Sequence, residues 1–535
     1  MKLALSIVFF CAAWSVRAAS HGAVATVQPI ATDAAIAAMN KGGNAIDGAI
    51  AAALTLGVVD GHNSGIGGGC FMLIRRANGQ FVALDGRETA PAKASRDMFL
   101  RDGKADTALS QSGPLAAGVP GALAVYDYAA RKLGKLGLKE HLQNAAKIAD
   151  GGFALDATYA SRLVFTAKEL KRFGGAFLKP DGSPYKQGEI LKQPDLARSY
   201  RSIAKQGIGW FYGGEFAQKA ETIRGLLTAA DFKNYKMKTR EPIRTTYRGY
   251  EIVGFPPPSS GGIHVAQILN ILEQAPPEKD QTLFIHRVSE AMKLAFADRA
   301  YWLGDPDFTK VPAGLVSKDY AKQLANRIDP NHAITVAGHG DPRERKHTTH
   351  FSVADSEGNW VACTATVNTS FGCKVVVPGT GIVLNNQMDD FAIQPGVANY
   401  FGLIGAEANA VAPGKRPLSS MSPTIVLKDG KPILAVGAAG GPTIISQTLL
   451  VILYSLDYGM PLKEAMAAPR FHHQWMPDEL RIEPKAGTNV IAALEKLGHK
   501  TSVVHSLGAA QAVGMDGDTL RAVCDPRGEG KSAAF

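Results

Sequence analysis

The sequence changes character abruptly near residue 348. Residues 328–347, called the linker below, are polar, contain glycine and proline, and show no sustained hydrophobic period. Directly afterwards, polar and apolar residues alternate in T-T-H-F-S-V-A-D at 348–355, which is typical of a β-strand. S-E-G-N at 356–359 is typical of a turn, and W-V-A-C-T-A-T-V-N at 360–368 is rich in the β-branched residues that favour a second strand. The sequence therefore predicts an exposed, mobile, easily cut linker, followed by a β-hairpin with a threonine at its open end.

Helices dominate the predictions before this hairpin. Residues 29–60 predict two helices, with Thr32 or Asp33 as the cap of the first and Asn44 as the cap of the second. The second helix is rich in alanine on nearly all sides, so we expect it to be buried. Strands are predicted around 71–85. Further helices are predicted over most of 120–235 and near 262–274, 282–302, 317–327, 443–457 and 462–468, and further strands near 380–385, 423–427 and 432–437.

The composition is that of a globular protein, because 46% of the 535 residues are hydrophobic and 20% are charged. The formal net charge is +10, but the Lys and Arg residues are scattered without a basic run, which disfavours nucleic-acid binding. G-I-G-G-G-C at 65–70 fails the dinucleotide fingerprint, because Cys70 stands where the last glycine or alanine should be. We expect a structural turn there and no cofactor.

The first twenty residues resemble a signal peptide. Lys2 gives a positive start, residues 3–16 are almost wholly apolar, and small residues suited to cleavage lie at 18–20. The alternative, an N-terminal membrane anchor, is disfavoured because the apolar run is shorter than the ~20 residues that a span needs. We expect a periplasmic or secreted protein with no membrane segment in its mature form.

Four cysteines lie beyond residue 20, and the sequence leaves open whether they form disulfides or buried thiols. They are Cys70, Cys363, Cys373 and Cys524. No C-x-x-C zinc pattern occurs. H-T-T-H at 347–350 is expected to be a strand, where its two histidines point to opposite faces. We therefore expect no metal site.

Thr348 has a possible chemical role that depends on chain cleavage. A threonine hydroxyl is a poor nucleophile and needs an adjacent base, which the free α-amine of an N-terminal threonine provides. An internal threonine reaches that state only if the preceding peptide bond is broken. Taken alone, two threonines at the start of a strand more often reflect the preference of threonine for β-strands than a catalytic role.

A set of motifs, in order from about residue 21 to the end, closely resembles the gamma-glutamyltranspeptidase family. The motifs that resemble its large subunit are G-G-N-A-I-D-G-A, S-G-I-G-G-G, L-D-G-R-E-T-A-P, Q-S-G-P-L-A-A-G-V-P-G and P-P-P-S-S-G-G. Those that resemble its small subunit are T-T-H-F-S, T-A-T-V-N-T-S-F-G, G-I-V-L-N-N-Q-M-D-D-F, K-R-P-L-S-S-M-S-P-T and G-A-A-G-G-P. One departure is V-V-D-G-H-N-S at 58–64, where the family usually has a Glu-Pro version.

The resemblance implies an α+β fold, the four-layer α/β/β/α sandwich of N-terminal-nucleophile hydrolases. After the signal peptide predicted at 1–20, it implies a large subunit at 21–347 and a small, catalytic subunit at 348–535, which form one globular heterodimer from one precursor. The processing site would be the bond between His347 and Thr348.

The resemblance also implies roles for individual residues. Thr348 matches the nucleophile, Thr366 the hydroxyl that supports it, and Gly440 and Gly441 the oxyanion hole. Residues expected to bind the glutamyl group are Arg87, Ser419 and Ser420 for its carboxylate, and Asn368, Gln387 and Asp390 for its ammonium.

Residues 391–418 match a lid over the site, with Tyr400 or Phe401 as its gate. A lid favours small substrates, so the implied activity is gamma-glutamyl transfer from glutathione and related compounds, through a glutamyl-Thr348 ester, to water, an amino acid or a peptide.

Two alternatives remain. A glutaryl-type acylase, as in cephalosporin acylases, would leave Asp390 without an ammonium to bind. A non-catalytic binding protein on the same scaffold would not need Thr348 or Gly440-Gly441, all of which are present.

Overall fold

The structure is a computed structural model that describes residues 21–340 and 351–535. The predicted signal peptide, the predicted processing site at His347–Thr348 and the H-T-T-H motif lie outside the described residues.

The strands are short to medium in length and are spread over the whole described chain. They are β1 (Gly22–Thr26), β2 (Gly69–Arg75), β3 (Phe81–Gly86), β4 (Leu100–Arg101), β5 (Lys104–Ala105), β6 (Phe153–Ala154), β7 (Ile190–Leu191), β8 (Lys238–Arg240), β9 (Ile243–Tyr247), β10 (Tyr250–Gly254), β11 (Phe351–Asp355), β12 (Trp360–Thr366), β13 (Thr424–Lys428), β14 (Lys431–Ala439), β15 (Phe471–His472), β16 (Leu480–Ile482), β17 (Thr501–Val503), β18 (Ala509–Asp516), β19 (Thr519–Cys524) and β20 (Lys531–Ala534).

The α-helices lie mainly before residue 330. They are α1 (Pro29–Asn40), α2 (Ala45–Val59), α3 (Thr107–Gln111), α4 (Ala122–Lys132), α5 (Leu138–Gly151), α6 (Ala157–Arg172), α7 (Pro194–Gln206), α8 (Gly209–Tyr212), α9 (Glu215–Glu221), α10 (Ala229–Asn234), α11 (Gly261–Leu272), α12 (Gln281–Trp302), α13 (Lys318–Ala325), α14 (Thr443–Leu456), α15 (Leu462–Ala467) and α16 (Thr488–Lys496).

Two large sheets form the centre of the molecule. The first has the order β20-β1-β11-β12-β2-β3-β8 and the second the order β19-β18-β14-β13-β10-β9. Neighbouring strands in both sheets are antiparallel. Each sheet combines strands from before and after position 348, since β1 lies between β11 and β20, and β10 pairs with β13.

Alternation along the strands separates three apolar layers, because successive side chains of a strand point to opposite faces. In β2, Phe71 and Leu73 pack between the two sheets, whereas Met72 and Ile74 face the other way. In β14, Ala435 likewise faces the space between the sheets. Both sheets are therefore buried on both faces.

Helices cover the two outer faces. On the first sheet, α1, α2, α4, α5 and α7 contribute to one apolar layer, in which every residue of α2 is buried. On the second sheet, α11, α12 and α14 form the corresponding layer. The order helix, sheet, sheet, helix confirms the predicted α+β four-layer sandwich.

The predicted hairpin is confirmed for its described part, β11 and β12, as are the two helices within 29–60 and the Asn44 cap. Asn44 accepts hydrogen bonds from the backbone N–H groups of Ile46 and Asp47, and Asp47 accepts one from the Asn44 N–H, so the cap is a complete capping box.

The predicted cap of the first helix is wrong. The side chain of Gln28 accepts a hydrogen bond from the Ile30 N–H at 2.7 Å, and Pro29 takes the first helical position. Thr32 lies inside the helix instead, where its hydroxyl donates to the Lys531 carbonyl at 2.8 Å. A proline at the first helical position is the signal that identifies the true start.

The strand predicted near 380–385 is also wrong. Only an isolated bridge between Val376 and Val383 forms there. Gly379 and Gly381 have φ values of 68° and 67°, which a strand cannot accommodate. A Cβ on Gly381 would lie 2.4 Å from the backbone nitrogen of Leu196, so this turn also packs tightly against α7.

The linker is only partly as predicted. Residues 329–340 form no helix or strand, but several side chains hold their backbone. Trp475 Nε1 donates to the Val336 carbonyl at 2.8 Å, and the Ala333 N–H donates to the Leu497 carbonyl at 2.6 Å. The described part of the linker is thus anchored, and its polar composition alone gave no sign of this.

The four cysteines beyond residue 20 are all free thiols in the described structure, three of them buried and Cys524 partly exposed. Among residues 21–340 and 351–535, no helix combines the length and the apolar character that crossing a bilayer requires.

The layer between the sheets yields a stability prediction. Phe71 is fully buried there, with its ring centroid 4.4 Å from that of Phe255. We expect Phe71→Ala to lower the free energy of unfolding by about 3–5 kcal/mol, because the lost contacts and the cavity add. The matched control is Phe165→Ala on α6, whose residue is 70% exposed. Equal urea midpoints for the two variants would contradict the prediction.

Candidate active site

A cavity of about 240 Å³ lies where the C-terminal ends of β12 and β14 approach the start of β11. Ten of the predicted site residues line it: Thr366, Asn368, Gln387, Asp390, Tyr400, Phe401, Ser419, Ser420, Gly440 and Gly441. Arg87 does not line it. Thr348 and His347 lie outside the described residues. Motifs up to 75 positions apart in the chain, from Thr366 to Gly441, therefore converge on one space.

The turn after β12 places Thr366 and Asn368 side by side. The Asn368 N–H donates to Thr366 Oγ1 at 2.8 Å, and Asn368 Nδ2 donates to the Asn386 carbonyl at 3.0 Å. Asn368 has a φ of 82°, a conformation that asparagine adopts more readily than most residues. The backbone behind it is close-packed, since a Cβ on Gly68 would lie 2.0 Å from the Thr366 carbonyl oxygen.

Arg87 lies beneath the cavity and pairs with Asp390. Its side chain is fully buried, and Nη2 donates to Asp390 Oδ2 at 2.6 Å. Nε donates to the Pro417 carbonyl at 3.0 Å, whereas Nη1 has no hydrogen-bond partner in the described parts of the chain. The two residues expected to bind opposite charges of one ligand thus form an ion pair with each other.

The electrostatic surroundings of this pair are unusual. Glu88 lies 3.6 Å from Arg87 Nη1, and burial raises the pKa of its carboxyl to about 8. Burial also raises the pKa of Asp390, although the Arg87 charge opposes that shift. Near neutral pH Glu88 is therefore largely uncharged, and Asp390 is the principal counter-charge of Arg87.

Gln387, Ser419 and Ser420 line the cavity near the Arg87–Asp390 pair. Gln387 Nε2 lies 3.4 Å from Asp390 Oδ2, on the same short 3₁₀ turn. Ser419 is bridged to Ser259 of P-P-P-S-S-G-G, whose hydroxyl donates to the Met421 carbonyl at 2.6 Å. The proline-rich motif therefore supports the serine pair from behind.

Gly440 and Gly441 form the turn from β14 into the N-terminus of α14. Their φ values are 133° and 60°, and a Cβ on Gly441 would lie 2.5 Å from the Phe401 ring. Thr443 Oγ1 donates to the Gly440 carbonyl at 2.8 Å. A helix N-terminus carries partial positive charge, so backbone N–H groups here suit a developing oxyanion.

A buried polar chain that the sequence reasoning missed supports this turn. Gln447 Nε2 donates to the Ala439 carbonyl at 2.9 Å, Arg470 Nη1 donates to Gln447 Oε1 at 3.1 Å, and Asp525 lies 2.5 Å from Arg470. These residues sit in separate segments of unremarkable sequence, so no local pattern marks them.

Tyr400 and Phe401 border the cavity from the segment 391–418. Tyr400 is 48% exposed, and its N–H donates to Asp389 Oδ2 at 2.9 Å. On the other side of the pair, Gln474 Nε2 donates to the carbonyl of Gly402, the residue after Phe401, at 3.1 Å. The aromatic pair is thus tethered on both sides.

Part of the cavity lining, called the α2–α6 wall below, comes from the loop that follows α2 and from α6, and it carries polar residues that were not predicted. Asp60, Asn63, Ser64 and Arg162 line it. The first three belong to V-V-D-G-H-N-S, so the departure from the family pattern was the available signal. Burial raises the pKa of the Asp60 carboxyl to about 8.

One cluster in the described chain has the composition of a metal site. His286, Glu290 and His499 place ligand atoms within 4.8 Å of one another. However, His286 Nδ1 and His499 Nε2 are 2.8 Å apart, a hydrogen-bond distance, and Lys293 Nζ lies 2.7 Å from Glu290 Oε1. Lysine thus already supplies the counter-charge, and none of these residues lines the cavity.

Comparisons with known proteins agree with this arrangement. The family model described as Gamma-glutamyltranspeptidase matches residues 31–535. A glutathione hydrolase proenzyme of Escherichia coli (strain K12) is 45% identical over 527 residues, which cover 95% of this chain and 91% of that protein.

Solved structures show the same fold. Cephalosporin acylase from Bacillus halodurans has a TM-score of 0.86 at 29% identity, over 97% of this chain and 96% of that chain. A gamma-glutamyltranspeptidase from Helicobacter pylori has a TM-score of 0.57 at 37% identity, over 58% of this chain and 92% of that chain.

The buried pair beneath the cavity can be tested by its effect on stability. We expect Asp390→Ala to lower the free energy of unfolding by about 3–5 kcal/mol, because it leaves the buried Arg87 charge without its partner. The control is Asp516→Ala, whose partner Arg521 is 57% exposed and which should cost under about 1 kcal/mol. Urea unfolding that ranks the control as equally damaging would refute the assignment.

Proposed function

Because the chain belongs to the gamma-glutamyltranspeptidase family, we propose that it cuts itself between His347 and Thr348 and then uses Thr348 to transfer gamma-glutamyl groups. The proposed donors are glutathione and related small gamma-glutamyl compounds, and the acceptors are water, amino acids and short peptides. The proposed mature protein is a heterodimer of residues 21–347 and 348–535, exported by the signal peptide at 1–20.

The single observation that carries this proposal is the placement of the predicted groups around one cavity. Asp390, Ser419 and Ser420 line the same cavity as the turn at Gly440-Gly441. Phe351 also lines the cavity. Thr348 lies three positions before Phe351 in the chain, and three residues span at most about 11 Å. The Thr348 hydroxyl is therefore within reach of this cavity.

The proposed reaction has two acyl transfers. Thr348 Oγ attacks the substrate amide carbonyl while its α-amine takes the proton, and the N–H groups at Gly440-Gly441 stabilise the oxyanion. The amine leaves with a proton, and a glutamyl ester remains. Water or a second amine then attacks the ester, and the proton returns to Thr348. Thr366 would orient the nucleophile.

The Arg87–Asp390 pair supports recognition of a glutamyl head group rather than a simple acid. A ligand that carries both a carboxylate and an ammonium can satisfy Arg87 and Asp390 together as it separates them. A glutaryl group offers only the carboxylate, so it would leave Asp390 buried without its counter-charge. Asn368, Gln387, Ser419 and Ser420 would add neutral hydrogen bonds, and Tyr400 and Phe401 would close the cavity over small substrates.

A second candidate is a glutaryl-type acylase, which the likeness to the Bacillus halodurans cephalosporin acylase favours. The two functions are separated by comparing gamma-glutamyl-p-nitroanilide with glutaryl-p-nitroanilide, which differ only in the ammonium. We expect kcat/KM to be higher for the glutamyl compound. Equal or better turnover of the glutaryl compound would favour the acylase.

Self-cleavage is tested by substituting the nucleophile. We expect Thr348→Ala to remain one chain without activity, because no hydroxyl can attack the preceding carbonyl. Thr349→Ala, one residue away, is the control and should yield a fragment that starts at Thr348. Intact mass and N-terminal sequencing read both outcomes. Two normal fragments from Thr348→Ala would overturn the mechanism.

A further inference from the structure

The α2–α6 wall of the cavity has a polar surface that glutamyl recognition does not use. Asn63 lies against the turn after β12 that carries Thr366 and Asn368, because the Asn63 carbonyl accepts a hydrogen bond from the Val367 N–H at 2.9 Å. Asn63 Nδ2 donates to Asp60 Oδ1 at 3.0 Å. Arg162 of α6 lines the same space. These groups therefore border the cavity close to Thr366 and Asn368.

Arg162 differs from most cavity residues in being an exposed cation. Among residues 21–340 and 351–535, its guanidinium has no hydrogen bond or ion pair. Asp60, by contrast, is largely covered, with 12% of its side chain exposed. In the described residues, this wall thus presents the guanidinium of Arg162 without a hydrogen-bond partner, beside Asp60 and Asn63, which are hydrogen-bonded to each other.

The chemistry of acyl transfer requires a place for the amine partner. The amine that leaves in the first step and the amine that attacks in the second occupy the same position beside the ester carbonyl. The glutamyl group is assigned to the wall of Asp390 and the serines, so the rest of the amine partner must extend along another wall. In amino acids and short peptides that remainder ends in a carboxylate.

We propose that Asp60, Asn63 and Arg162 form the subsite for the amine partner, in which Arg162 binds the carboxylate of an acceptor amino acid or peptide. This proposal rests on the proposed glutamyl transfer. In the step concerned, the acceptor nitrogen forms a bond to the ester carbonyl carbon, the bond from that carbon to Thr348 Oγ breaks, and the nitrogen's proton passes to Thr348.

The test compares two acceptors that differ only in the carboxylate, glycylglycine and glycylglycine amide, with gamma-glutamyl-p-nitroanilide as donor. In Arg162→Ala we expect the KM for glycylglycine to rise roughly tenfold, since a charge-assisted hydrogen bond is lost. The KM for the amide should stay unchanged. Arg172→Ala, at the end of the same helix and outside the cavity lining, should leave all values unchanged.

Each other outcome is informative. An equal rise in KM for both acceptors, or no rise for either, would contradict a carboxylate contact. Hydrolysis without transfer to either acceptor would overturn the subsite and leave glutamyl hydrolysis standing. If the anilide is not cleaved at all, the proposed function fails, and this subsite with it.

The anchored linker runs along α12, and side chains spread over most of the length of this helix hold it. They are His286, Glu290, Lys293, Asp298 and Trp302. Each contacts the linker backbone. His286 Nε2 lies 2.7 Å from the Asp329 carbonyl oxygen.

Near the middle of α12, two side chains hold both backbone polar groups of a single linker residue, Ile334. The Ile334 N–H donates to Glu290 Oε2 at 3.0 Å, and Lys293 Nζ donates to the Ile334 carbonyl at 2.9 Å. Glu290 and Lys293 are buried and also pair with each other at 2.7 Å. The His286–Glu290–His499 cluster is thus part of a polar contact with the linker.

The last described linker residue, Gly340, is held through both of its backbone polar groups. The Gly340 N–H donates to Asp298 Oδ1 at 2.7 Å, and Trp302 Nε1 donates to the Gly340 carbonyl at 3.2 Å. Asp298 Oδ2 accepts from Gln267 Nε2 at 2.7 Å and from the Tyr320 hydroxyl at 2.8 Å. Three donors thus converge on one buried side chain, an arrangement that a carboxylate satisfies and an amide does not.

We infer that these side chains of α12 position the linker for self-cleavage, with Asp298 as the main positioning residue. Gly340 lies eight residues before Thr348, so fixing it restricts where the following residues can go. The inference rests on the proposed self-cleavage, and Asp298 itself touches neither substrate nor reacting atoms.

The test follows the appearance of the fragment that starts at Thr348 after synthesis of the precursor. We expect Asp298→Asn to slow this at least tenfold, because the amide presents N–H groups to donors, while the cleaved fraction keeps normal kcat and KM. Tyr320→Phe removes one of the three donors and should be intermediate. Asp280→Asn, at the N-cap of the same helix, keeps its capping role and should be cut at the normal rate.

A normal cleavage rate in Asp298→Asn would overturn this inference. So would a cleaved fraction whose kcat falls in step with the cleavage rate, since that points to general damage to the fold. Cleavage of Thr348→Ala would instead refute self-cleavage by that residue, which the Asp298 variants do not address.

Discussion

The pairing of strands across position 348 is the constraint on which the rest of the molecule depends. β1 has β11 on one side and β20 on the other, and β2 pairs with β12 along seven residues. A cut in the linker therefore separates the chain into two pieces that still share both sheets. The backbone hydrogen bonds and the apolar layer between the sheets hold the pieces in register, so a new N-terminus can form at β11 while the surrounding cavity stays in place.

Buried charge is the second organising element. Arg87 is held under the cavity by Asp390 and by backbone carbonyls, and the carboxyl of Glu88 beside it remains largely protonated. Such a pair is costly to bury and does little for stability compared with apolar packing. Under the proposed function its role is specificity, because a ligand that supplies both a carboxylate and an ammonium can replace both partners of the pair.

Local signals predicted the elements whose causes are local. The hairpin follows from alternation, and α2 from its alanines and the Asn44 cap. The start of α1 was predicted wrongly, although Pro29 was a local signal for it. That Thr366, Asp390 and Gly440 belong to one site was predicted from the resemblance to a family, because no local sequence pattern links them.

Long-range contacts were beyond local reasoning. The partner of Arg87 lies 303 positions away in the chain, and Asp298 reaches Gly340 only because of how α12 packs. Arg162 belongs to no motif, and its place in the cavity wall depends on the docking of α6. The polar composition of the linker predicted exposure correctly in part, but composition cannot reveal which buried side chains will hold its backbone.

The free cysteines have a consequence for the redox behaviour of the protein. Burial raises the pKa of the Cys373 thiol to about 12 and that of Cys363 well above its ordinary value. Thiol–disulfide exchange requires a thiolate, so these groups are poor reactants. The described structure also contains no disulfide for a small thiol compound to reduce. In the described residues, the parts before and after position 348 are joined by strand pairing, apolar packing and ion pairs such as Arg87–Asp390, and none of these contacts involves a sulfur–sulfur bond.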